Sequence, residues 1–291
     1  RIRWDPALVR KYDVAGPRYT SYPTALQFTE SFGSREYEEY LLERPPVIGP
    51  LSLYVHIPYC RNICYYCACN KIVTRDAAVA ERYIVAVEKE IALLSRHFDR
   101  RRRVTQLHWG GGTPTFLGPA ELTRLMHGLA KHFSLIDAPE REYSIEIDPR
   151  SVDTGTIALL KGLGFNRVSM GIQDFDPAVQ RAVNRIQPFD MVESLVDAVR
   201  EHRFKSLSFD LIYGLPLQSP ASMEQTLAKV LALNPDRVSC YSYAHLPDVF
   251  SSQRSIDRMQ LPSADEKLEV LHAIIDTLTD AGYLYVGMDH F

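Results

Sequence analysis

Four of the five cysteines, Cys60, Cys64, Cys67 and Cys69, fall within ten residues, and the first three are spaced C-x3-C-x2-C. Thiolates this close together, on a loop just after the apolar run that ends at Ile57, can converge on one soft metal centre. A three-thiolate set is informative because it is one ligand short. An iron–sulfur cube held by three cysteines keeps one iron free for an outside ligand, whereas a structural zinc site fills all four positions from the protein. Two other arrangements share the spacing. Cysteines at i, i+4 and i+7 line one face of a buried helix, where a thiol acts as a small hydrophobe, and a zinc site could be completed by Cys69 or His56. Pro58 just ahead, with Asn62 and Asn70 among the cysteines, disfavours the helix. The cluster leads.

Further groups lie downstream. Gly110-Gly111-Gly112 within His108-Trp109-Gly110-Gly111-Gly112-Thr113-Pro114-Thr115 permits close backbone approach, and its N–H and C=O groups can grip a polar ligand such as an amino-acid moiety. The same glycines would also serve a plain strand-to-helix turn. Glu146 can accept hydrogen bonds from two vicinal ribose hydroxyls, with Asp148 competing for that role, and Gln173, Arg185 and Asp210 follow on later repeats. Arg100-Arg101-Arg102-Arg103 comes before a strand rather than after it, and reads as a solvated surface.

The elements that must position these groups form six β/α repeats. Strands are predicted near 51–57, 104–109, 143–147, 167–172, 206–212 and 237–243, and helices near 77–97, 119–132, 153–162, 176–202, 220–232 and 264–281. Such repeats build either a barrel or an open doubly wound sheet. Alternation favours a barrel with an open lumen. Tyr143, Ile145 and Ile147 oppose Ser144, Glu146 and Asp148, and the same split puts Gln173 and Asp210 on a polar face. A filled barrel would carry branched aliphatics there. Residues 1–45 show little periodicity and, through Gly16 to Thr24, favour an extended arm.

A net charge of −3 and 46% apolar residues exclude a general nucleic-acid surface and allow a large core. No stretch approaches a membrane span, and the cysteines do not form a disulfide framework. The expected chain is soluble, cytoplasmic and monomeric.

The chain resembles a known family over its full length. C-x3-C-x2-C is the radical S-adenosylmethionine (SAM) signature. The segments 17–25, 67–75, 108–115, 164–167, 210–216 and 287–291 resemble the oxygen-independent coproporphyrinogen III oxidases (coproporphyrinogen dehydrogenases) of heme biosynthesis. The resemblance implies an α/β fold, an incomplete (β/α)6 TIM-like barrel of the radical SAM type over residues 46–291, with an extended N-terminal arm over residues 1–45. It implies a [4Fe–4S] cluster on Cys60, Cys64 and Cys67, with one or two molecules of S-adenosylmethionine. By position, Tyr54 and Tyr66 fall where the family contacts the cofactor. Gly111, Gly112, Thr113 and Glu146 match the first S-adenosylmethionine region, and Gln173, Arg185, Asp210 and Ala244 match positions for a second. Cys69 matches a family cysteine outside the cluster.

The implied reaction converts two propionates of coproporphyrinogen III to vinyl groups, giving protoporphyrinogen IX, through a 5′-deoxyadenosyl radical. A low-potential donor such as a flavodoxin or ferredoxin would supply electrons. The alternative is a heme chaperone of the same superfamily; Cys69, where chaperones typically carry Phe, favours the enzyme. Arg18, Tyr19 and Tyr22 are expected to meet substrate carboxylates. Family members continue past Phe291 into a helical region expected to be absent here.

Overall fold

The computed structural model describes residues 4–14, 23–43 and 49–291. Two compact units divide at Gly49. In the first, helix α1 (Pro6–Tyr12) starts because the Asp5 carboxylate accepts hydrogen bonds from the N–H groups of Ala7 and Leu8, at 3.0 and 3.1 Å, with Pro6 preset for the first turn. Helix α2 (Ser34–Glu43) follows, with Glu36 accepting from the N–H of Gly33 at 2.9 Å. Capping therefore makes helices in an arm whose apolar periodicity is weak. Of the stretch expected to be extended, residues 16–22, with Arg18, Tyr19 and Tyr22, lie outside the described residues.

The second unit carries strands β1 (Leu51–Ile57), β2 (Tyr59–Cys60), β3 (Ile72–Val73), β4 (Arg103–Gly111), β5 (Ser134–Leu135), β6 (Glu142–Ile147), β7 (Arg167–Gln173), β8 (Ser206–Tyr213) and β9 (Arg237–Ser242). The six long strands pair in parallel in the order β1-β4-β6-β7-β8-β9, with β5 added beside β4. Strand order follows chain order without reversal, so right-handed crossovers lay the helices on one face. This is a singly wound, barrel-like sheet, and it excludes the doubly wound alternative. Each long strand lies within two residues of its expected ends.

The helices are α3 (Ala78–Leu94), α4 (Pro119–His132), α5 (Thr154–Gly162), α6 (Pro177–Ala182), α7 (Phe189–Glu201), α8 (Pro220–Leu233) and α9 (Ala264–Asp280). The single helix expected over 176–202 is broken. Asn184 takes the left-handed conformation (φ 54°), and the Gln180 side chain bonds the backbone N–H and C=O of Gln187, both at 3.0 Å. Pro188 then restarts the helix. Gly164 and Gly282 close α5 and α9 with positive φ, and the N–H groups of Phe165 and Tyr283 reach back to Leu160 and Leu278.

Burial alternates along the sheet. Tyr143, Ile145, Ile147, Val168, Met170, Ile172, Phe209 and Leu211 pack beneath the helices. The opposite face lines a cavity of 1280 Å³ bordered by His108, Glu146, Arg167, Ser169, Asp210 and Tyr241, among others. On the far side of β9, Val238 and Phe291 exchange backbone hydrogen bonds at 3.1 and 2.8 Å, and the N–H of Cys240 reaches the carbonyl of Asp289 at 2.8 Å.

Candidate active site

The cysteine loop leaves the C-terminal end of β1, where ligand groups gather in barrels of this kind. Its entry is fixed by the glycines of β4. The N–H of Gly112 bonds the carbonyl of Ile57 at 2.8 Å. A Cβ on Gly111 would lie 2.8 Å from that same oxygen, and one on Gly112 would lie 2.8 Å from the carbonyl of Pro58. Gly111 also has φ +121°, which side chains disfavour. These two glycines thus press β4 against the start of the loop, and Thr113 follows with its hydroxyl 3.4 Å from the Cys60 sulfur. Strands β2 and β3 pair across the loop's base.

Other elements clamp the remainder. Asn184, in the break between α6 and α7, donates its amide to the carbonyl of Ile63 at 2.8 Å. Buried Gln253 donates to the carbonyls of Tyr66 and Ala244, both at 3.1 Å, tying the loop to the segment after β9. Lys71 donates to the carbonyl of Cys67 at 3.0 Å.

Charge is concentrated at Cys64. Arg150 Nη2 and Arg185 Nη1 lie 3.2 and 3.4 Å from its sulfur, and both guanidiniums also pair with Asp148, at 2.7 and 3.2 Å. Burial opposes the Asp148 charge, yet the two arginines outweigh it and hold the carboxyl down at about 2. Burial pushes the Cys60 thiol up. A hydrogen bond from Cys69 draws Cys67 down to about 6 and leaves Cys69 as the partner that keeps its proton. A protonated Cys69 is a donor to the set rather than a fourth thiolate.

The zinc arrangement loses its histidine: His56 Nδ1 meets the Tyr54 hydroxyl and Nε2 meets the carbonyl of Asn70, both at 3.0 Å. Among the described residues, no three His, Cys, Asp or Glu side chains close on a single ion. The donor set fits a polynuclear group, in which each thiolate meets a different iron. Three thiols on one clamped loop, with two guanidiniums toward one sulfur, suit an anionic iron–sulfur group.

The other expected residues fall into two clusters. Gln173 and Arg185 lie together over Gly171, where a Cβ would meet Gln173 Nε2 at 2.8 Å and Arg185 Nη2 at 3.0 Å. Gln173 adopts φ +67°, and its buried Oε1 has no partner, which marks a place for a donor group. Tyr66 is part-buried beside Arg185 and Cys64. Around Glu146, the carboxylate meets His108 Nε2 at 3.0 Å and the N–H of Gly111 at 3.2 Å, while Tyr54, 59% exposed, stacks on His108. Deeper in the cavity, Asp210 accepts from Ser169 at 2.9 Å. Burial pushes Asp210 up to about 6, against that hydroxyl. Ala244 is exposed and contributes through its backbone carbonyl.

A family model of the radical SAM superfamily matches residues 54–230, more than half of the chain. The chain belongs to the radical SAM superfamily. Radical SAM proteins use a [4Fe–4S] cluster and S-adenosylmethionine. This radical SAM chain is 52% identical over 290 residues to an oxygen-independent coproporphyrinogen III oxidase from Pseudomonas aeruginosa, and 49% identical over 291 residues to one from Escherichia coli. Each alignment takes in 100% of the chain and 63% of the relative, so the chain spans less than two thirds of the length of these proteins. A solved structure described as coproporphyrinogen III oxidase from Escherichia coli, a radical SAM enzyme, superposes with a TM-score of 0.92 at 48% identity, covering 100% of this chain and 64% of that one.

Three residues of this radical SAM barrel were not found from sequence: Arg150, Asn184 and Gln253. Arg150 had a signal, since Asp148-Pro149-Arg150 directly follows a strand. Asn184 and Gln253 act through backbone carbonyls far along the chain, and spacing carries no trace of that.

Proposed function

We propose that this chain is the barrel portion of an oxygen-independent coproporphyrinogen III oxidase, which decarboxylates two propionates of coproporphyrinogen III to vinyl groups. The observation that carries the proposal is the trio of cysteines on one loop, clamped after the C-terminal end of β1 with Arg150 and Arg185 facing Cys64. The names of the relatives supply the substrate and favour the enzyme over the heme chaperone.

Cys60, Cys64 and Cys67 would hold the cluster. Glu146, Gly111, Gly112, Thr113 and Tyr54 would orient one S-adenosylmethionine, and Gln173, Arg185, Asp210, Ala244 and Tyr66 would serve a second. Once bound, these groups supply a 5′-deoxyadenosyl radical able to take hydrogen from a propionate β-carbon. The protein's part is to orient and to exclude water. The unpartnered Gln173 Oε1 can accept from an ammonium or hydroxyl group of a ligand. Arg185 keeps Asp148 ionised, so the guanidinium pair stays charged next to the sulfur. Arg237 borders the cavity and offers a cation to the substrate's carboxylates, while Arg167 on the same wall is paired with Glu142 at 2.6 Å. Electrons would come from a low-potential flavodoxin or ferredoxin.

The test is anaerobic reconstitution of the full-length protein with iron and sulfide, followed by assay with coproporphyrinogen III. Carbon dioxide and 5′-deoxyadenosine formed together support the proposal. Protein that folds around zinc, or that releases neither product, overturns it.

A further inference from the structure

The outer surface of the cysteine loop has a composition unlike that of the basic run 100–103. Arg61 and Asn62 lie between two candidate cluster ligands, and both are exposed. Beside them, β3 presents Ile72 and Val73 to solvent at 53% and 42% exposure, followed by exposed Arg75. Arg61, Val73 and Arg75 line a shallow pocket of 420 Å³. Arg61 stacks over Phe116, and neither Arg61 nor Arg75 has a carboxylate partner among the described residues. The basic run 100–103 contrasts with this. There Arg101 is paired with Asp99 and Arg103 with Glu140, each at 2.6 Å, and Arg100 bonds the carbonyl of Lys131. On a chain of net charge −3, two uncompensated guanidiniums around exposed aliphatic side chains form a local attractor for anionic surfaces.

The backbone joins this surface directly to the tripod. The N–H of Thr74 bonds the carbonyl of Cys60 at 2.9 Å, and that of Ile72 bonds the carbonyl of Pro58 at 2.7 Å. A protein seated on β3 would therefore stand one hydrogen bond from a cluster ligand. Asp76 sits at the margin, where its carboxylate is occupied by the N–H of Ala78.

We infer that the Arg61, Ile72, Val73 and Arg75 surface is the docking site for the electron donor, a small redox protein with an acidic rim around its cofactor. The inference rests on the iron–sulfur reading of the tripod. In each transfer one electron leaves the donor, which is oxidised, and enters the iron–sulfur group, which is reduced. Acidic side chains of the donor would face the guanidiniums, and its apolar centre would cover Ile72 and Val73. Rim charges of this kind act chiefly on encounter rate and salt dependence.

The test uses the full-length reconstituted protein, a recombinant flavodoxin and, as the small reductant, dithionite. Two variants are compared with wild type: Val73→Asp with Arg75→Glu, and Arg61→Gln alone. Calorimetric affinity for oxidised flavodoxin should fall about tenfold in the double variant, which corresponds to about 1.4 kcal/mol. It should fall less in Arg61→Gln, and wild-type affinity should weaken as salt is raised. The rate of reduction by flavodoxin should drop in parallel, while that by dithionite stays unchanged. Wild-type affinity and flavodoxin rate in the double variant would overturn the assignment. So would protection of Ile72–Arg75 from surface labelling in the full-length protein without donor, the result if another segment of the chain covers them. A wild type that binds flavodoxin in a salt-sensitive way but accepts no electron from dithionite would sink the iron–sulfur reading and leave the surface assignment standing.

Discussion

Asp148, just past the end of β6 beside Cys64, and Asp210, on the polar face of β8 in the cavity, are both largely buried, yet their protonation shifts in opposite directions although burial opposes the charge of each. Asp148 meets two guanidiniums and is held at about 2. Asp210 meets Ser169 and Ser239, with Glu146 adding repulsion and His290 a weak attraction, and is pushed up to about 6. The difference lies in the partners. Fixed cations make the surroundings of Cys64 a place for permanent charge, whereas neutral hydroxyls leave the cavity free to change its protonation with its contents.

The comparison breaks most sharply at the tripod. Cys64→Ser should strip iron from the reconstituted protein and abolish cleavage of S-adenosylmethionine, while Asp210→Asn should leave iron content unchanged; metal analysis of the two variants decides whether cysteine loop and cavity have separate duties. Next in size is Arg185→Ala. It leaves Asp148 buried with half its compensation, and such losses cost about 3–5 kcal/mol; urea unfolding of the apoprotein measures it. Arg150→Gln sharpens the same point. Removing a cationic donor from the Cys64 sulfur, a proposed cluster ligand, should lower the reduction potential of the reconstituted protein, read by potentiometry, and cut activity about 10–100-fold with iron retained.

The smallest effect is set by pH. The folded Asp210 sits above its ordinary 3.8, so its contribution favours folding below that value and is lost as pH rises through about 6. Asp210→Asn should therefore stabilise the ligand-free protein by about 1–3 kcal/mol at pH 8, with the gain vanishing below about pH 4. Asp148 runs the other way. Its contribution is full above 3.8 and is lost as pH falls through about 2. Denaturation curves across this range should show the two signs.

What could be read from sequence followed the kind of interaction. Period-two alternation located the polar face, because only one side of each strand packs under helices, and C-x3-C-x2-C located the tripod because its thiols are neighbours in the chain. The Asp148, Arg150 and Arg185 group was only half legible: each residue follows a strand or helix end, but the distance from Arg185 to Cys64 depends on a helix break made by Asn184 and Gln180. The glycines of β4 were read as a ligand cradle, and two of them also have a packing duty against Ile57 and Pro58 that no local pattern displays. In the N-terminal arm, the caps at Asp5 and Gly33 outweighed weak periodicity.

The short pairing of Asp289–Phe291 along β9 also bears on how the open side of the wound sheet can be sealed. With the N–H groups of Val238 and Cys240 already satisfied from that flank, no additional strand can graft on there in ladder register. A strand that narrows the gap between the first and last staves must therefore pair along β1 or along the outer side of Asp289–Phe291 rather than with β9 itself.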